Sequence, residues 1–159
     1  MTVRMFITTH AVLGALIGEE LASNPWLAFV LALVSHFLVD MIPHGDTYLY
    51  KGYVSGTKVR RAIAYVTIDG IATVLFVLFL FNTQTFENRA AVSAGIIGSI
   101  LPDLIVGLYE VTRFNKLRWF QRLHYYFHNI IVSRKRDIAF ASGFAMQMVF
   151  LAAILSRIG

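Results

Sequence analysis

Within twelve residues, the stretch SHFLVDMIPHGD (35–46) carries His36, Asp40, His44 and Asp46. Imidazoles and carboxylates hold Zn, Mn or Fe where no thiolate is offered, and this chain has no cysteine. His36 and Asp40 stand four residues apart, as do His124 and His128. On a helix that spacing puts both side chains on one face, a common way to present two metal ligands. His10, Asp69 and Asp103 are further ionisable residues inside apolar runs. Such a set could bind one or two divalent ions, Zn foremost, with Mn or Fe as alternatives. The chemistry would be hydrolysis, because a bound ion acidifies water and stabilises an oxyanion.

The elements that must position these residues are apolar helices. The chain has 159 residues, of which 57% are hydrophobic and 14% charged. An average soluble domain is about 25% charged, so the composition points to an integral membrane protein. Cysteine-free composition also excludes a disulfide framework and thiolate catalysis. The length fits a single membrane domain, residues 1–159. The N-terminus has one basic residue before an apolar core, lacks a clear cleavage site and contains His10. It therefore reads as retained rather than as a signal peptide.

Apolar stretches at about 5–22, 25–42, 62–81, 90–108 and 138–155 approach the roughly 20 residues that cross a bilayer. The first is the shortest. The expected fold is all-α: a membrane helical bundle of about five transmembrane helices. Gly14, Gly18, Gly95 and Gly98 should allow close helix contacts, and Pro102 should kink the fourth span.

Charge orients the bundle. With five spans, twelve of the fourteen basic residues fall on one side, and only Arg89 and Arg157 on the other. The positive-inside rule makes the basic side cytoplasmic. The expected location is a bacterial inner membrane, multi-pass, with the N-terminus cytoplasmic and the C-terminus outside. The segment 113–136 mixes Arg and Lys with Trp119, Phe120, Leu123 and Phe127. It reads as an amphipathic helix on the cytoplasmic surface, with membrane lipids as partners. Tyr125 and Tyr126 should anchor it at the interface. Nucleic acid is the other partner for such a mixture, and is set aside because the basic residues flank spans.

Depth then ties the polar residues together. At about 1.5 Å per residue, His10, His36, Asp69 and Asp103 each lie roughly 9–12 Å inside their spans, all from the basic side. Charges inside a bilayer are costly and face a shared interior. The expected metal ligands are His10, His36, Asp40, Asp103, His124 and His128. Asp40 and Asp69 are the candidate proton acceptors, and Asp69 could instead orient a ligand. Arg60, Arg61 and Arg122 could hold an anionic headgroup. His44 and Asp46 would support the ligands from just beyond the second span.

The segments THAVLGALIG (9–18), SHFLVDMIPHGD (35–46) and GSILPDLI (98–105), with a late His pair in HYYFHN (124–129), resemble a known family. It is the membrane-bound, metal-dependent hydrolase-like family, the LexA-regulated bacterial inner-membrane proteins and their relatives. The resemblance implies His10, His36, Asp40 and Asp103 as metal-site positions. The expected function is hydrolysis at the cytoplasmic interface of a lipid or lipid-linked (phospho)ester. A divalent-cation or proton carrier or sensor, and a non-catalytic structural membrane protein, are the alternatives.

Overall fold

A computed structural model describes residues 6–21, 23–42, 52–132 and 138–158. Among these residues the fold is all-helical, with no strand. The helices described from end to end are, in chain order, α1 (Ile7–Glu20), α2 (Pro25–Asp40), α3 (Val59–Thr83), α4 (Arg89–Thr112), α5 (Arg118–Val132) and α6 (Phe140–Ile158). A single 3-10 turn, Asn115–Leu117, leads into α5.

Local chemistry sets the helix boundaries. Asn24 starts α2, its side chain accepting from the amides of Trp26 and Leu27. Pro25 follows at the first helical position, where a missing N–H costs nothing. Asn88 starts α4 in the same way, accepting from the amides of Ala90 and Ala91. That helix runs on through Pro102 and stops at Arg113, whose φ of 54° lies in the left-handed region. The Arg113 guanidinium reaches Glu110 at 2.9 Å, and Glu110 in turn accepts from Gln121 of α5 at 3.0 Å. The neighbouring Glu110 carboxylate raises the Arg113 pKa.

The core is the contact of α4 with α1 and α2. At one crossing Gly14 meets Gly95 so closely that a Cβ on either would strike the other's backbone carbonyl. Gly98 lies equally close to the Phe29 carbonyl of α2. Small residues thus bring three backbones together, as in membrane helix pairs. Ala11, Ala15, Leu80, Val92 and Ile96 fill the space between α1, α3 and α4. Helices α3 and α6 pack on α1, and α5 closes against α4 and α2. The paired residues show alternating directions. Asp69 meets Thr8 while Leu80 packs with Ala11 and Ala15, and Phe144 meets Phe6 while Gln147 meets Thr9, so α3 and α6 run parallel to α1. Gly18 lies on Ala91 and Gly14 on Gly95, so α4 runs against α1.

Among the described residues two helices, α3 and α4, are long and apolar enough to cross a membrane, where five were expected. With 14 and 16 residues, α1 and α2 extend only about 21 and 24 Å, short of the roughly 30 Å hydrocarbon layer. Glu19 and Glu20 end α1, and the turn to Asn24 follows at once. The apolar part of α6, Ala141–Arg157, is also short of the length expected. The outer surface is nonetheless apolar. Leu27, Val34, Ile68, Leu75, Leu78, Leu104, Leu108 and Val149 are all exposed.

Candidate metal centre

Four helices bring six ionisable side chains to one buried place. His10 comes from the first turn of α1, His36 and Asp40 from the last two turns of α2, and Asp103 from the C-terminal half of α4. His124 and His128 come from one face of α5. Each is at most 1% exposed. Asp40 lies at the centre: its Oδ1 is 3.8 Å from His10 Nε2, and its Oδ2 is 3.3 Å from His124 Nε2. His124 Nε2 is also 3.8 Å from Asp103 Oδ1. The His10 and His36 rings stack at 4.1 Å between centroids, and His124 and His128 follow at 6.3 Å.

Two overlapping triads have metal-site dimensions: His10, His36 and Asp103, and His36, Asp40 and His124. Within each, one donor atom per residue lies within 4.8 Å of the others. The hydrogen-bond pattern fits a cation as well. His36 Nδ1 is 2.7 Å from the Ser99 carbonyl oxygen. A carbonyl only accepts, so Nδ1 carries the proton and Nε2 presents its lone pair to the cluster. Metal-binding histidines are oriented by such a bond on their far nitrogen. His36 Nε2 and His10 Nδ1 are buried with no hydrogen bond. An imidazole buried this way costs about 1–3 kcal/mol for each unsatisfied atom, and a bound cation would remove that cost. The three imidazoles and two carboxylates suit Zn, Mn or Fe. Phe37 walls the cluster on the α5 side, its ring 6.1 Å from His124 and 5.2 Å from Phe127.

Asp69, expected to act as a proton acceptor or orienter, lies apart from these triads. Its Oδ2 accepts from the Ile7 amide at 2.6 Å, and its Oδ1 from the Thr8 hydroxyl at 2.8 Å and the Thr8 amide at 3.3 Å. The first amides of a helix have no partner within it, and α3 supplies one here from outside. Thr73 completes the set, 2.9 Å from the Thr8 hydroxyl. Gln147 of α6 accepts from the Phe6 amide at 2.8 Å. His10 sits two residues beyond Thr8, so this network fixes the turn that carries it.

Arg60, Arg61 and Arg122 are exposed and stand outside the cluster. His44 and Asp46 lie outside the described residues. Tyr125, expected at the interface, is buried against Val106, while Tyr126 is exposed. The reason is helical phase: Tyr125 shares a face with Gln121, His124 and His128. Sequence reasoning missed Ser99, Thr8, Thr73 and Gln147. Gln147 was visible as the one amide in FAMQMVF (144–150). The Ser99 contribution is a backbone carbonyl, which leaves no trace in residue type. Comparisons with protein-family models, characterised proteins and solved structures return no match.

Proposed function

We propose that this chain is a multi-pass protein of a bacterial inner membrane and a metal-dependent hydrolase of a lipid or lipid-linked (phospho)ester. One observation carries the reading: three imidazoles and two carboxylates from four helices converge in a buried cluster, and His10 and His36 keep unsatisfied ring nitrogens there. His10, His36, Asp40, Asp103 and His124 would hold the ion, with His128 beside them. A bound divalent ion supplies Lewis acidity and lowers the pKa of water. Asp40 takes the proton of the attacking water and returns it to the departing alcohol. Ser99 keeps His36 in the tautomer that offers Nε2. Phe37 and the buried face of α5 exclude bulk water.

The site lies at one end of the bundle, formed by the start of α1 and the ends of α2 and α4. The N-terminus of α3, with Arg60 and Arg61, leads from the same end as the start of α1. Lys116, Arg118 and Arg122 follow α4 there. That basic end is assigned to the cytoplasm, with the two long helices crossing the bilayer and the shorter ones packed against them. A site at headgroup depth favours a lipid-borne ester, and Arg60, Arg61 and Arg122 supply anion-binding groups.

The test is elemental analysis of the detergent-purified protein beside an Asp40→Ala/Asp103→Ala variant. One or two equivalents of Zn, Mn or Fe in the parent and a loss in the variant are expected, followed by release of alcohol from lipid esters by the parent alone. A parent that binds none of these ions after reconstitution would refute the reading.

A further inference from the structure

Helix α5 has two opposite faces, and both are committed. Gln121, His124, Tyr125 and His128 are buried against α2 and α4. At 100° per residue, the direction facing away from them holds Trp119, Leu123 and Tyr126. These three are 65%, 39% and 67% exposed. The exposed cations Arg118 and Arg122 lie along one flank of that face, and Lys116 lies in the turn before it. An apolar, aromatic stripe bordered by cations is the pattern of a helix lying in a membrane interface. The chain carries a formal net charge of +5, so the complementary surface is anionic.

The same helix delivers His124 and His128 to the metal cluster. Its fifteen residues are marginal as an isolated helix, and α5 owes its position to packing. Its ties to the body include the Gln121–Glu110 bond, the approach of His124 to Asp40 and Asp103, and the rings of Phe120 and Phe127 on Phe37. Whatever seats the outer face therefore also seats the two histidines.

We propose that α5 is an anionic-lipid-operated clamp, in which the headgroup surface holds the outer face and so brings His124 and His128 onto the metal site. This rests on the metal-centre reading above and adds regulation of that site by the membrane. Lipid binds the seated helix better than the released one, and metal does the same, so each must strengthen the other. A Lys or Arg near an anionic surface contributes a factor of roughly five. Lys116 and Arg118 together would supply up to about 25-fold.

The experiment uses the full chain in nanodiscs of phosphatidylcholine alone or with phosphatidylglycerol, and titrates Zn²⁺ against a chelating indicator. Affinity should be fivefold to 25-fold tighter in the anionic discs. Lys116→Gln/Arg118→Gln should lose that gain and match the parent in neutral discs. A second readout follows Trp119 fluorescence in a Trp26→Phe background, with brominated acyl chains as quencher. Quenching is expected, and Zn²⁺ should deepen it. Equal Zn²⁺ affinity in both discs overturns the clamp while leaving the metal centre intact. Absence of Zn²⁺ binding in either disc overturns both. Failure of the brominated lipid to quench Trp119 overturns the clamp and points to a second copy of the chain on that face.

Discussion

Asp69→Ala separates a structural role from a catalytic one. The Asp69 carboxylate receives two backbone amides and one hydroxyl from the start of α1. Removing it leaves the Ile7 and Thr8 amides without that acceptor in a part-buried place. Loss of an N-terminal cap costs about 0.5–2 kcal/mol. Hydrogen bonds to a charged acceptor contribute about 1.5–3 kcal/mol, and the two figures overlap because they describe the same bonds. A loss of about 1.5–3 kcal/mol is expected. For a chain of this size each kcal/mol moves Tm by roughly 2–4 °C, so Tm should fall by about 3–12 °C in detergent. Asp69→Asn keeps an acceptor and loses the charge, and should fall about half as far. Both variants should retain bound metal at low temperature, since Asp69 lies outside the triads. A parent-like Tm in Asp69→Ala, with hydrolysis abolished, would refute the capping role and restore Asp69 as a proton acceptor.

Two further comparisons test the scaffold by thermal unfolding. Gly95→Ala should lower stability by more than 2 kcal/mol, because the new methyl meets the Gly14 carbonyl, whereas Gly70→Ala has open space and should gain about 0.5–1 kcal/mol from helix propensity. Equal shifts in the two would contradict the close α1–α4 crossing. Asn24→Ala and Asn88→Ala should each cost about 1 kcal/mol, since each removes a side chain that accepts two helix-end amides.

Most of the site was legible because its residues are costly in apolar surroundings. A His or Asp in a run of Leu and Val needs a partner, so equal depth in separate helices predicted convergence. His10, His36, Asp40, Asp103, His124 and His128 do converge. Asp69 met the same depth criterion and went elsewhere. Depth fixes the position along a helix but not the direction around it, and the Asp69 side chain points at the end of α1. The helices themselves were readable from hydropathy, including the short first one. Their capacity to span was overestimated, because an apolar stretch counts turn residues that the helix excludes. The first stretch ran to 22 and the second to 42, whereas α1 ends at Glu20 and α2 at Asp40. For α5 the amphipathic helix was readable, but Tyr125 lies on its buried face and not at the interface.

The two polar clusters differ in how completely their hydrogen bonds are met, and that difference assigns their roles. Around Asp69, both carboxylate oxygens and the hydroxyls of Thr8 and Thr73 have partners within 3.3 Å. A buried network satisfied in this way rigidifies a fold. His10 Nδ1 and His36 Nε2 are buried without such partners, at about 1–3 kcal/mol each. Together that is about 2–6 kcal/mol, against a typical total stability of 5–15 kcal/mol. A sequence needing only to join helices would reach the same packing with Leu or Met at positions 10 and 36 and avoid that cost. Binding of a divalent ion releases free energy on the order of 10 kcal/mol at structural zinc sites, enough to offset it. The satisfied cluster therefore builds the start of α1, and the strained one is what that start is built to hold.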